Sequence, residues 1–340
     1  MRTEIEIDPR DIIKIVKTIN SHLNQEILIE GLLLELLDKR VASSDYLFIL
    51  LSKLQEKQVL EGRHGILFIK SRVEDKILNE LENKVMYEVS RKKRIFVTPL
   101  EVGKFYQCPR RFYLEKVVLS RQFKRERGKV WDGEVLHLAV KMLIDNINEK
   151  NVDEFITEIA KTSMKKYEGK TTITEKSIID FLIKLHKLTE EENFDFLISE
   201  RTLLSLKRGL MGTPDIIAKN KNGEFVPIDI KLGRIDRRGI KKEHLLQNVG
   251  EALLVEDFLR KKISSTYLVY FQASSAIKVD LTDEMKKEFI LFKKELERTS
   301  RKKIIPHMSR LENAGARVCR GCHVRPACEN IEDLVRMRGR

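Results

Sequence analysis

A short segment near the middle of the chain, MGTPDIIAKNKNGEFVPIDIKLGR (211–234), constrains the fold most strongly. Two apolar runs of strand type flank NKNG, a sequence typical of a turn between the strands of a hairpin. Asp215 stands at the start of the first run and Asp229 near the end of the second, so their carboxylates can converge on one point. A carboxylate at the end of a buried strand is costly unless it binds a cation or caps another group. This pattern therefore predicts a functional site that the two carboxylates share.

The tripeptide Asp229-Ile230-Lys231 adds a lysine to this site. Alternation along a strand puts Asp229 and Lys231 on one face and turns Ile230 into the core, with its backbone carbonyl left near the acids. Mg²⁺ and Mn²⁺ prefer oxygen ligands of this kind. An ammonium beside a metal-bound water stabilises a developing hydroxide or the charge on phosphorus, which suits phosphodiester cleavage. The alternative is a surface ion pair, since D-x-K is common at strand edges.

The charge balance favours a polyanionic partner. The chain of 340 residues has 65 Lys and Arg against 52 Asp and Glu, a net charge of +13, and nucleic acid is the most frequent polyanion. A generally basic protein without such a partner is the alternative. The start, MRTEIEIDPRD, is too charged for a signal peptide, and the longest apolar run, ILIEGLLLELL, is too short for a membrane span. We therefore expect a cytoplasmic protein without a membrane partner.

Basic and aromatic residues alternate ahead of the acidic hairpin. Residues 110–129 contain eight Lys or Arg and two Glu, and Trp131 follows them. Basic groups beside aromatic rings suit a nucleic-acid strand that offers phosphates and bases, and the second basic run, RIDRRGIKK (234–242), follows the D-I-K strand directly. The interleaved aromatic residues are Phe105, Tyr106, Phe112, Tyr113 and Phe123. The alternative is that these rings are core and the charges form a solvated face, which we expect for about half of the aromatic residues.

The order of predicted elements indicates two parts. Residues 1–92 are predicted to be mainly helical, with helices within 26–40 and 43–58, a hairpin in VLEGRHGILFI and a helix over about 72–91. Two helices and a hairpin resemble a winged helix, and a helical docking appendage is the alternative. Residues 93–340 read as helices, three strands, a helix, a strand and a helix. This order predicts an α/β fold in which helices flank a central mixed sheet.

The hairpin also belongs to a longer series of motifs. Gly212-x-x-Asp215, then the D-I-K strand, then a helix that contains Gln247 resemble the RecB-like branch of the PD-(D/E)xK nuclease superfamily. That branch has a G-x-x-x-H motif on a preceding helix, and Gly133 and His137 match it. The resemblance covers roughly 93–335 and implies a core like that of restriction endonucleases.

The resemblance also implies roles for individual residues. His137, Asp215, Asp229 and the Ile230 carbonyl would bind the metal, and the histidine tends to favour Mn²⁺ over Mg²⁺. Catalysis would use Asp215, Asp229, Lys231 and Gln247. The family typically has a tyrosine four residues after the glutamine, where this chain has Glu251, so the DNA contacts of that helix depart from the family pattern. Lys241 and His244, which can share the face of Gln247, are candidate phosphate contacts.

The four cysteines suggest a second inorganic site. Cys108 lies in YQCPRRFYLEK, whereas Cys319, Cys322 and Cys328 form a C-x2-C-x5-C cluster. Four thiolates with this spacing can hold zinc or an iron–sulfur cluster, and His323 is a spare zinc candidate. One cysteine before the nuclease core and three after it resemble the iron–sulfur subgroup of RecB-like nucleases, in which the four cysteines bind one 4Fe–4S cluster.

This subgroup includes the fourth CRISPR-associated (Cas) protein, which the chain matches best in size after about residue 93. The resemblance implies a metal-dependent exonuclease that acts on single-stranded DNA ends and takes part in acquiring or processing CRISPR spacers. Other CRISPR adaptation proteins are then candidate partners. Two alternatives remain open: a DNA-binding accessory subunit, and a DNA-repair nuclease outside CRISPR.

Overall fold

The structure is a computed structural model that describes residues 9–39, 50–51, 54–55, 57–63, 66–74, 96–118, 128–147, 152–200, 202–205, 207–236, 239–273, 275–302, 306, 319 and 322–329. Its helices are α1 (Pro9–Ser21), α2 (Ile29–Asp38), α3 (Pro99–Gln107), α4 (Pro109–Phe112), α5 (Gly128–Asp145), α6 (Val152–Lys166), α7 (Glu175–Glu191), α8 (Lys242–Leu259), α9 (Asp283–Lys302) and α10 (Arg325–Glu329), and a π-helix (Tyr113–Val118) follows α4. Its strands are β1 (Glu26–Leu28), β2 (Leu60–Arg63), β3 (Ile66–Ile69), β4 (Phe194–Ser199), β5 (Leu203–Ser205), β6 (Leu210–Gly212), β7 (Ile216–Asn220), β8 (Phe225–Lys231), β9 (Ser265–Tyr270) and β10 (Ser275–Asp280).

A five-stranded sheet in the order β10–β9–β8–β7–β4 forms the centre of the fold. Strands β8 and β9 are parallel, with Asp229 opposite Leu268, and the other neighbouring strands are antiparallel. Parallel neighbours need a crossover connection, which α8 supplies between them. The predicted α/β fold with a mixed sheet is confirmed.

Helices cover both faces of this sheet. On β7, Ile216 and Ala218 pack in an apolar cluster with buried residues of α5, α6 and α7, whereas Ile217 belongs to a second cluster with residues of α3, α8 and α9. This alternation is the period of two expected of a strand whose two faces are both buried. The first six residues of β8 are accordingly all buried, and Asp229 is one of them.

Several elements differ from their predictions. The run FLISERTLLSLK forms two strands, β4 and β5, because the chain turns at Glu200, which has a φ of 46°. Strand β10 was not predicted; its burial alternates as in a half-buried edge strand, which weakens the sequence signal. The predicted helix over 26–40 begins only after strand β1. The turn at 220–223 is present, with a hydrogen bond from the Gly223 N–H to the Asn220 carbonyl at 2.9 Å.

The N-terminal part contains a three-stranded antiparallel sheet in the order β1–β3–β2. The predicted hairpin is β2–β3, in which Leu60 lies opposite Ile69. Residues 50–51 and 54–55 are helical, and the rest of the helix predicted within 43–58 lies largely outside the described residues. Residues 72–74 are not helical, and the remainder of the helix predicted over about 72–91 is outside the described residues. The division at residue 92 stays a prediction. No helix in the described ranges is long and apolar enough to cross a membrane.

Helix α3 lies against the start of α8 at very short range. The helix begins with a capping box, in which the Glu101 N–H donates to the Thr98 hydroxyl at 3.1 Å and the Thr98 N–H donates to the Glu101 carboxylate at 3.0 Å. A Cβ added at Gly103 would stand 2.6 Å from the backbone carbonyl oxygen of Glu243. Only glycine permits this crossing, since the opposing atom is backbone and cannot swing aside.

We expect Gly103→Ala to lower the free energy of unfolding by about 1–3 kcal/mol, because the methyl group forces the two helices apart. Gly133→Ala is the matched control, since a Cβ at this helical position meets nothing within 4 Å. Its expected effect ranges from none to a stabilisation of about 1 kcal/mol from helix propensity. Guanidinium unfolding curves measure both, and equal effects of the two substitutions would contradict the packing argument.

Candidate active site

The two aspartates of the hairpin meet because of the pairing between β7 and β8. Ile216 lies opposite Ile228, so Asp215, one residue before β7, lies beside the last residues of β8. Its Oδ2 accepts a hydrogen bond from the Ile230 N–H at 2.7 Å. The N–H and C=O of one residue in an extended strand face the same edge, so the Ile230 carbonyl also faces the Asp215 side.

Helix α5 brings His137 to the same place. The ring Nδ1 lies 3.2 Å from the Asp215 Oδ1, and the side chain is 36% exposed. Burial lowers the pKa of His137, but the hydrogen bond and charge of Asp215 raise it more, so the net shift is upward.

Near the start of the same helix, the Thr171 hydroxyl and the Thr172 N–H each donate to Asp132 at 2.6 Å. These bonds hold the beginning of α5 to the connection between α6 and α7.

Lys231 is anchored by two acceptors. Its Nζ lies 2.8 Å from the Asp229 Oδ1 and 2.8 Å from the Gln247 Oε1. The other carboxylate oxygen of Asp229 lies 2.7 Å from the ammonium but accepts no hydrogen bond from the described residues. Gln247 projects from α8, the crossover helix, and its Nε2 donates to Glu251 Oε1 at 2.9 Å. The residues named for this site in the sequence are thus brought together.

The site holds more buried carboxyl groups than cationic groups. Asp229 is 1% exposed, and burial, with a smaller contribution from Asp215, raises its pKa to about 6 against the opposing effect of Lys231. Burial and the charge of Asp229 raise the pKa of Glu251 well above its usual range. Burial lowers the pKa of Lys231, but the carboxylates, Asp229 first, raise it further. Three carboxylates around one ammonium favour the arrival of a cation or a proton.

Two acids of this region were not assigned a role from the sequence. Glu200 follows β4, and its N–H donates to the Asp215 carbonyl at 3.0 Å. Burial and Asp215 raise the pKa of Glu200, while His137 opposes the shift. Glu251 was noted only as a departure from a family pattern. No local motif marks Glu200, because its place depends on the antiparallel pairing of β4 with β7.

The carboxylates are already engaged with protein groups. Asp215 Oδ2 accepts from the Ile230 N–H, and Asp229 pairs with Lys231. Accordingly, no three His, Cys, Asp or Glu side chains among the described residues surround a single point in the manner of a bound ion.

The four cysteines lie in one region, where the segment that holds Cys319, Cys322 and Cys328 returns to α4 and the π-helix. The pKa of Cys108 is raised, chiefly by burial and further by the nearby Cys322, Cys328 and Cys319. A small apolar cluster that includes Tyr113, Leu114, Val324 and Ala327 joins the π-helix to α10. The Nε2 of His323, the spare zinc candidate, lies 3.1 Å from Glu115 Oε1.

Several predicted nucleic-acid contacts are instead core residues. Phe105, Phe112 and Tyr113 are 1%, 5% and 2% exposed, so these three rings belong to the aromatic residues that were expected to be core. Tyr106 packs edge-on against Phe292 with ring centroids 5.1 Å apart. Trp131 packs against Tyr167 at 5.8 Å. Phe123 and much of the basic segment lie outside the described residues.

His244 does not offer a positive charge to phosphate at neutral pH. Its Nδ1 lies 3.1 Å from the Tyr270 hydroxyl. Burial, followed by the charges of Lys231 and Lys241, lowers the pKa of His244 to about 4. The neutral ring therefore packs between α8 and the end of β9, which leaves Lys241 as the remaining candidate phosphate contact on this face.

Acids, an imidazole and a lysine at the edge of a mixed sheet suit a class of protein, the metal-dependent enzymes that cleave phosphodiester bonds. The family model of the PD-(D/E)XK nuclease superfamily matches residues 97–329, and the chain belongs to this superfamily. It is therefore a nuclease of a kind that acts on DNA and uses divalent metals such as Mg²⁺ or Mn²⁺.

The comparisons with individual proteins are weaker. In total, 18 chains of solved structures match. One of them is the crystal structure of SSO0001, with 16% sequence identity and a TM-score of 0.28 over 56% of this chain and 91% of that chain. No curated protein matches the chain.

The buried His244 makes stability depend on pH. Its pKa in the folded state, about 4, lies below the value of 6.5 in the unfolded chain, so the unfolded state binds more protons between these values. Stability should therefore fall as the pH drops from about 6.5 to 4, by on the order of 1–2 kcal/mol for this group once solvent screening of the partly exposed ring is included. In His244→Gln this part of the pH dependence should vanish. Denaturant unfolding at a series of pH values measures it, and an unchanged slope would show that the ring is not buried in its neutral form.

Proposed function

We propose that this protein is a metal-dependent DNA exonuclease that cleaves phosphodiester bonds at single-stranded ends. The observation that carries the proposal is the convergence of His137, Asp215, Asp229 and Lys231 at one edge of the central sheet, around buried and incompletely compensated negative charge. Superfamily membership supports nuclease activity, and the net charge of +13 supports a polyanionic substrate. The choice of single-stranded ends rests on the order of the motifs, which resembles that of the RecB-like nucleases.

The donor set of the site fits a divalent cation. His137, Asp215, Asp229 and the Ile230 carbonyl would hold Mn²⁺ or Mg²⁺, and the imidazole favours Mn²⁺. The buried Asp229 Oδ2, which accepts no hydrogen bond from the described residues, offers a lone pair for such a ligand. A bound ion of this kind supplies Lewis acidity and lowers the pKa of its water.

In the proposed reaction Lys231 acts on the phosphate or the attacking water. Its ammonium stays charged, because the raised pKa keeps its proton in place. Asp229 and Gln247 hold it from two sides and so place it to meet the negative charge that develops on a non-bridging oxygen. The lysine is thus oriented before the substrate arrives, and no reorganisation is needed in the transition state.

We expect Lys231→Met to reduce cleavage of end-labelled single-stranded DNA by a factor of about 100–1,000, with DNA binding retained. The experiment is run with Mn²⁺ and with Mg²⁺, and Lys278→Ala, an exposed lysine on β10, serves as the control that keeps activity. Because the substitution leaves Asp229 without its partner, thermal unfolding of each variant is recorded alongside. A folded Lys231→Met variant that cuts at the wild-type rate would exclude the catalytic assignment.

We also propose that Cys108, Cys319, Cys322 and Cys328 bind one 4Fe–4S cluster. Their proximity supports it: Cys322, Cys328 and Cys319 influence Cys108 electrostatically, and Cys322 and Cys328 pack against the apolar cluster of the π-helix. Arg110 supports it too: the side chain is 7% exposed and donates to Cys328, while its buried Nε has no acceptor among the described residues. A buried, partly unpaired guanidinium beside four thiols fits a cofactor with net negative charge and acceptor sulfurs. The cluster would tie the segment that holds Cys319, Cys322 and Cys328 to α4, a structural role.

Protein purified without oxygen should be brown, with about four irons per chain and a visible absorption that bleaches on chemical reduction. Cys322→Ala should lose both iron and colour. His323→Ala is the matched control and should keep them, because this ring faces Glu115. A colourless wild-type protein with one zinc per chain, or equal loss of metal in both variants, would instead favour a zinc site.

One cysteine lies before the nuclease core and three lie after it, which resembles the iron–sulfur subgroup of RecB-like nucleases. This resemblance favours a role in acquiring or processing CRISPR spacers, with other adaptation proteins as partners. A repair nuclease outside CRISPR has the same chemistry, and the neighbouring genes distinguish the two.

A DNA-binding accessory subunit is the second candidate, and the N-terminal sheet with its two flanking helices, as in a winged helix, favours it. The nuclease assay separates this candidate: wild-type protein that binds DNA tightly but leaves it uncut with both metals supports the accessory role.

A further inference from the structure

Glu251 is a buried acid next to the proposed catalytic lysine. It lies on α8 one turn after Gln247, at the position where the family that this chain resembles has tyrosine. The residue is 5% exposed. Its Oε1 accepts a hydrogen bond from the Gln247 Nε2 at 2.9 Å, and its Oε2 has no hydrogen-bond partner in the described part of the chain. Burying a carboxyl group there is costly, which calls for a reason.

The reason follows from the donors and acceptors of the amide. An ammonium can only donate, so Gln247 must turn its carbonyl oxygen toward the Lys231 Nζ, 2.8 Å away. The amide nitrogen then points to the opposite side and needs acceptors. Glu251 Oε1 is the nearer one at 2.9 Å, and Asp229 Oδ1 is more distant at 3.4 Å. A carboxylate at position 251 therefore stabilises the orientation of the amide that the lysine requires.

We propose that Glu251 is a positioning residue for the lysine. By accepting from the Gln247 amide, it locks the carboxamide in the orientation that holds Lys231 against Asp229. It acts through Gln247 and makes no contact with the reacting atoms. This inference rests on the proposed function in one respect, namely that Lys231 contributes to cleavage.

Two substitutions separate this hydrogen-bonding role from a need for negative charge. Glu251→Leu keeps most of the volume but removes the nearer acceptor, so the amide is held less firmly and the second anchor of the lysine is weakened. Glu251→Gln removes the charge but keeps an acceptor oxygen. Glu256→Leu is the matched control on the same helix, since Glu256 pairs with Arg208 and Lys286 and not with the site.

The first measurement is cleavage of end-labelled single-stranded DNA with Mn²⁺. We expect Glu251→Leu to lower kcat by a factor of about 10–100 with KM changed by less than about threefold, and Glu251→Gln to restore most of kcat. The control variant should keep both constants. A Glu251→Leu variant with wild-type kcat, or a Glu251→Gln variant as impaired as Glu251→Leu, would overturn the proposal.

The second measurement does not depend on activity. Acylation of lysines by an activated ester, read by mass spectrometry, reports how firmly each ammonium is held. Lys231 should be labelled faster in Glu251→Leu than in the wild type and in Glu251→Gln, while Lys286 should be unchanged in all three. Equal labelling of Lys231 in all three would overturn the inference. A wild-type protein that shows the labelling pattern but cuts no DNA would reject the proposed function and leave the positioning role standing.

Discussion

The hydrogen bond from the Ile230 N–H to the Asp215 carboxylate is the contact on which the site depends. It joins the residue that precedes β7 to the end of β8, and thereby fixes the distance between the two aspartates. His137 reaches Asp215 from a helix that packs on the same strands. The backbone of the sheet therefore carries the site, which is a more rigid support than a set of loops.

The charges of the site are only partly balanced within the fold. Asp229 and Glu251 are buried and their pKa values are raised, and Lys231 is the cation whose charge opposes both shifts. Burying these acids is unfavourable for folding. It is favourable for function, because the carboxylates attract a cation and hold the protein's own lysine. The stabilising contacts that offset this cost lie elsewhere, in the two apolar clusters that cover the sheet.

The two ends of the nuclease-like part are joined away from the acids. Cys108 caps α4 through a hydrogen bond from the Arg111 N–H, and the short α10 returns Cys328 to the same neighbourhood. The proposed cluster would close this long loop and so restrict the unfolded chain.

The sequence by itself determined the α/β class, the hairpin with its turn at 220–223, and the shared face of Asp229 and Lys231, because strand period and turn chemistry are local properties. The G-x-x-x-H match also pointed to His137. Only the tertiary structure decided that Phe105 and Phe112 are core, that Glu200 lies beside Asp215, and that Glu251 holds the amide next to the lysine. These outcomes depend on which distant surfaces pack together, and no period or short motif carries that information.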